Sequence, residues 1–134
     1  MGERAERNAQ AIREVYASFG TGDMDALRAA LSPDVVWHVP EHHGQLSGDR
    51  KGHEEVLGLF GKMFELSEGT LRAEIIDVLA SEDRAAAYVH ATGNARGNIL
   101  DDTPLHLFRF DENGIVEEVT QYPLNKDMHE SFWS

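Results

Sequence analysis

The chain has 134 residues, with 12 Lys plus Arg against 24 Asp plus Glu and a formal net charge of -12. That length holds one domain around one core, and a field of that sign repels phosphate backbones and anionic lipid surfaces, which argues against nucleic-acid and membrane partners. The absence of cysteine excludes disulfides, thiolate nucleophiles and cysteine-ligated zinc, and the charged start MGERAERNAQ lacks the apolar core of a secretory signal, so the cytoplasm is the expected compartment.

Ile12, Val15, Tyr16 and Phe19 recur at three- and four-residue spacing from about Arg4, which predicts an amphipathic helix stopped by Gly20-Thr21-Gly22. Asp23 is placed to cap a shorter helix that turns Met24, Leu27 and Leu31 inward and closes at Ser32-Pro33. Val35 to Val39 reads as a short strand, with Trp37 and Val39 on one face and Val36 and His38 on the other. Glu41 to Gly52, rich in Gly, His and charge, reads as a loop: a solvated, pH-sensitive lid over a pocket mouth. The cluster His38, Glu41, His42, His43 and His53 has no His-x-His or His-x3-His on an assigned helix, so no metal site is expected.

His53 to Leu66 returns to helical spacing through Val56, Leu57, Phe60, Met63 and Phe64. After Gly69 the period becomes two, and Thr70 to Leu79, Arg84 to Thr92, Ile99 to Phe110 and Ile115 to Tyr122 are four successive strand candidates, the last pair joined by an Asn-Gly turn. Asp101-Asp102 is expected at a strand irregularity facing solvent, and Glu117, in step with Val119 and Gln121, is expected toward the interior. Asn125 is a plausible cap for a final helix carrying Met128, Phe132 and Trp133.

Helices followed by hairpin-linked strands define an α+β class: one domain over residues 1–134 in which helices pack on one face of a curved, mostly antiparallel sheet and close it into a cone. Four segments carry a resemblance: Tyr16 to Asp23 (YASFGTGD), Ser32 to Pro40 (SPDVVWHVP), Phe108-Arg109-Phe110 and Gly114-Ile115-Val116. Together they resemble the nuclear transport factor 2-like superfamily, in its SnoaL-like and ketosteroid-isomerase-like branch. The resemblance implies a cone-shaped α+β barrel whose curved sheet is wrapped by three helices, a deep apolar cavity and a homodimer through the outer sheet face. It leaves activity open among isomerases, epoxide hydrolases, polyketide cyclases and non-catalytic binders. It also places Tyr16 near the tyrosine that binds a developing oxyanion in the isomerases, and His106 where their protonated acid stands. Their base position falls on Val39, which moves no proton, and the cyclase acid-base region on the last strand falls on Gln121.

The candidate catalytic residues are therefore His106, which alternates with Phe108 and Phe110, His90, which alternates with Ala86, Tyr88 and Thr92, and Tyr16. Trp37, Val39, Phe19, Phe60 and Phe64 are expected as substrate-binding wall, together with Tyr88, Phe108, Val119, Gln121 and Trp133, and a bulge near Pro40 would be needed to turn His38 inward. Two readings stand side by side: a cofactor-independent acid-base enzyme on a small, apolar, oxygenated molecule, and a non-catalytic binder of a small hydrophobic ligand.

Overall fold

The structure, a computed structural model, describes residues 2–134. Helix α1 (Glu3–Thr21) ends on Gly22 in the left-handed conformation, and α2 (Met24–Ala30) begins where the Asp23 carboxylate accepts from the Ala26 N–H at 3.1 Å. Strand β1 spans Leu31–Val39, so the chain is already extended at Ser32-Pro33, where the sequence suggested the end of a helix. A single 3-10 turn (Gly44–Leu46) and a short strand β2 (Gly48–Lys51) occupy the segment expected as loop, and α3 covers Gly52–Leu66.

Then come β3 (Arg72–Ala80), β4 (Arg84–Ala95), β5 (Asn98–Asp102), β6 (Leu105–Phe110), β7 (Val116–Tyr122) and α4 (Lys126–Phe132). The third strand candidate is thus two strands, split where Pro104 has no N–H for the ladder. Helix α4 is the final helix expected after Asn125, whose side chain accepts from the Met128 N–H. The helices accompany one mixed, unclosed sheet in the order β2-β1-β7-β6-β4-β3, with β5 continuing along the β4 edge that β6 leaves free. All pairs are antiparallel except β1 with β7.

The concave face of β4 is built from small residues. Ala85, Ala87, Val89 and Ala91 are buried there, while Tyr88 is exposed on the other side. Small side chains on an inward face leave space between sheet and helices, and Val89 and Ala91 of this row line the cavity. At the far end of β4, Gly93 lies against Phe132 so closely that a Cβ would meet the ring at 2.7 Å, which seats α4 on the sheet. Arg96 fastens the same end by donating to the carbonyls of Leu66, Phe132 and Ser134. At the other end the fully buried Asn8 amide of α1 donates to the Ser81 and Glu82 carbonyls at 3.0 and 2.9 Å, fixing α1 over the β3–β4 turn.

Candidate functional site

Directly paired residues in neighbouring strands share a face, and the register therefore decides which side chains reach the cavity. His106 pairs with Ala87 of β4 and with Gln121 of β7, so all three point inward, and Tyr16 comes down from α1 to hydrogen-bond His106 Nδ1. The two rings lie nearly parallel, 9° apart, with centroids 5.9 Å from one another. Phe19, Trp37, Phe60, Met63 and Trp133 supply apolar wall around a cavity of about 70 Å³. That is room for several waters or the body of a small ligand.

The expected second imidazole is elsewhere. Since Ala87 is the inward residue opposite His106, the even-numbered residues of β4 face out, and His90 lies half-exposed with its Nε2 on the Asp101 carboxylate at 2.8 Å. Tyr88 is outward for the same reason. His38 also stays outside, its two ring nitrogens on Asp49 (2.8 Å) and Glu118 (2.7 Å). A register shift between Arg109 and Phe110 buries both Val116 and Val119 and puts Glu117 outside with Glu118, where both meet Arg109. Val39, Phe108 and Val119 are buried and Phe64 half-buried, all behind the wall; Phe108 meets Tyr16 and Trp37 edge to face, and Phe64 stacks on Phe19 at 4.8 Å.

Three groups stand together at one end of the chamber: His129, which sequence reasoning passed over, and His43 line it, and Asp102 backs His129. Asp102, expected in solvent, is buried, and its Oδ2 accepts from the N–H groups of Leu124 and Asn125, both at 3.1 Å, and from His129 Nε2 at 2.9 Å. Trp133 Nε1–H donates to His129 Nδ1 at 3.3 Å, so His129 is held as the Nε2–H tautomer with both nitrogens occupied. His43, expected in a solvated lid, is buried against it, the rings 4.5 Å apart and 23° from parallel. The signal that could have found them was the aromatic end: Phe132-Trp133 must bury, and it carries His129 one turn earlier onto the same face.

Burial sets the electrostatics. It lowers His106 to about 3, helped by the nearby His129 and His43, and it raises the Tyr16 phenol above its ordinary range. It lowers His43 to about 4, with His129 adding to the effect, and lowers His129 despite the opposing Asp102. Burial works against the Asp102 carboxylate as well, but the backbone N–H groups and His129 outweigh it and hold that group below its usual value. At neutral pH the chamber is therefore lined by uncharged imidazoles and a protonated phenol.

Hydrogen-bonding capacity is left over. His106 Nε2, the Gln121 amide and His43 Nε2 have no protein partner among the described residues, although all three side chains line the cavity. The Trp37 indole N–H, in the same wall, is buried without one, which costs on the order of 1–3 kcal/mol until an acceptor arrives. No Asp, Glu, Lys or Arg is among the described lining residues, and no three His, Asp or Glu side chains among the described residues are placed to hold a metal ion.

Comparison with known proteins agrees with this architecture. The SnoaL-like domain matches residues 12–118. The structure of Bal32a from a soil-derived mobile gene cassette superposes with a TM-score of 0.93 at 31% identity, covering 98% of this chain and 100% of that one. The Mycobacterium tuberculosis protein Rv0034 is 27% identical over 124 residues, 92% of this chain and 93% of its own. An NTF2-like protein from Burkholderia xenovorans, 20% identical, shares the fold with a TM-score of 0.80 over 97% of each chain.

Proposed function

Because the chain belongs to the SnoaL-like domain family, we propose that it is a cofactor-independent acid-base enzyme that isomerises, cyclises or hydrolyses an apolar oxygenated molecule of polyketide, terpenoid or steroid-like type. The observation that carries this reading is the Tyr16–His106 pair: two uncharged proton carriers hydrogen-bonded to each other, with His106 Nε2 unspent in an apolar chamber. When the Tyr16 O–H donates to Nδ1, Nε2 bears the hydrogen and donates to a substrate carbonyl. When Nδ1–H donates to Tyr16, the phenol becomes the donor and Nε2 offers a lone pair.

Either arrangement stabilises negative charge growing on a substrate oxygen, and among apolar walls each hydrogen bond counts for more. An imidazole lowered to about 3 is a weak base at neutral pH, so polarisation of the carbonyl is its stronger role. Gln121, paired with His106 across the ladder, orients the same oxygen. His106→Ala is expected to remove turnover, and Tyr16→Phe to slow it about 100-fold or more, with both variants folded; turnover unchanged in both would overturn the catalytic assignment.

A second reading, sequestration of a hydrophobic ligand without chemistry, is favoured by the lack of a carboxylate base among the described lining residues. Native mass spectrometry of protein purified from its own host separates the two: a co-purifying molecule that remains unchanged on prolonged incubation marks a binder. We further propose a cytoplasmic homodimer joined through the outer sheet face. Its support is a pair of outward rows in register, Tyr88–Leu105–Tyr122 and Leu79–Ala86–Leu107, whose large side chains are mostly exposed.

A further inference from the structure

We infer that His43 is the cavity's second ligand-contacting group, and that the molecule bound there carries two oxygen functions: a carbonyl-type acceptor met by Tyr16–His106 and a hydroxyl met by His43 Nε2. The inference rests on the reading above and adds a residue and a ligand class to it.

The loop is shaped to hold this one ring inward. His42 before it adopts φ +66, a conformation that side-chain-bearing residues rarely take. Gly44 after it has φ +52 and lies where a Cβ would meet the Trp133 carbonyl carbon at 2.4 Å. Backbone hydrogen bonds tie both sides of the ring: the His43 N–H donates to Ser47 Oγ at 2.9 Å, the Gly44 N–H to Glu130 Oε2 at 2.8 Å, and the Gln45 N–H to the Trp133 carbonyl at 2.8 Å. A buried imidazole on a loop this constrained is positioned rather than merely tolerated.

The chemistry of its free nitrogen follows from its other contacts. Nδ1–H donates to the Glu41 carbonyl at 3.4 Å, which leaves Nε2 with a lone pair. The His129 ring stacked on it has no capacity to spare, because Asp102 and Trp133 occupy both its nitrogens. Burial and His129 keep His43 neutral, so the lone pair persists through the physiological range. A lone pair facing a chamber of apolar walls selects an O–H donor, and His106, on a different wall, takes the acceptor.

The test uses shape-matched bicyclic ketones as probes: 1-tetralone, its 5-, 6- and 7-hydroxy isomers, and the matching methoxy compounds, with binding measured by calorimetry on the full chain. At least one hydroxy isomer is expected to bind roughly five- to tenfold tighter than 1-tetralone, the worth of one added hydrogen bond. The methoxy partner should lose that gain, and so should His43→Ala, while His43→Gln, which keeps an acceptor, should retain part of it. In the wild type, the His43 Nε2 resonance in 15N spectra should move with the hydroxy probe and stay put with 1-tetralone, a readout that needs no variant to fold. If 1-tetralone binds and no hydroxyl improves it, or if the gain survives in His43→Ala, the role of His43 is overturned and the Tyr16–His106 reading stands. If no probe binds, both are overturned.

Discussion

Histidines on the two faces of this sheet behave in opposite ways. His106, on β6, looks into the chamber and is driven down to about 3 by burial, whereas His38, on β1, looks outward and is raised by hydrogen bonds to Glu118 and Asp49. His129 shows which effect governs inside: even with the Asp102 carboxylate 2.9 Å away, burial lowers it. Partners set the charge on the outer face, and burial sets it within.

The neighbouring residues Asp101 and Asp102 offer the hardest test of that contrast. Asp102→Ala would leave two backbone N–H groups and His129 without their shared acceptor and is expected to cost about 3–5 kcal/mol in chemical denaturation. Asp101→Ala, one position away, removes only an exposed contact with His90 and is expected to cost less than about 1 kcal/mol. Similar losses from the two would erase the distinction between the faces.

The pH dependence of stability has a separate limb for each face. An unfolded imidazole takes its proton near pH 6.5, whereas folded His106 waits until about 3. Its contribution is thus complete above 6.5 and is lost as the pH falls through that window. His106→Gln should reduce the acid slope by about one proton, or about 1.4 kcal/mol per pH unit. His38 has the opposite sign: its contribution is present below 6.5 and fades as the pH rises through its raised value. Its carboxylate partners are well exposed, so His38→Gln should remove less than about 1 kcal/mol. Denaturation midpoints across pH 5 to 8 check both limbs.

The starts of α2 and α4 and the stop of α1 were legible because their signals are local: Asp23 and Asn125 both cap through their own side chains, and Gly22 ends α1. The faces of β1 were legible too, since Val35, Trp37 and Val39 are its only inward run of large apolar groups. Strand β4 misled for a physical reason. A period of two separates its faces without saying which is inside, and the expected aromatic face, Tyr88 with His90, is the outer one because the register pairs Ala87, not Tyr88, with the inward His106. On β7, one register shift sends Glu117 outward with Glu118, a displacement no alternation reveals. His43 and Asp102 were hidden because their burial depends on α4 docking more than twenty residues away in sequence.

The central claim is that His106 is an uncharged, buried partner of Tyr16 in an apolar chamber. Long-range 15N–1H spectra of the seven histidines, followed from pH 8 to 4.5, test it directly. The account predicts that His106 keeps the signature of a single neutral tautomer throughout, while His38, raised by Glu118 and Asp49, takes up its proton at a higher pH than a free imidazole. A His106 that titrates near 6.5, like an imidazole in open solvent, would contradict it.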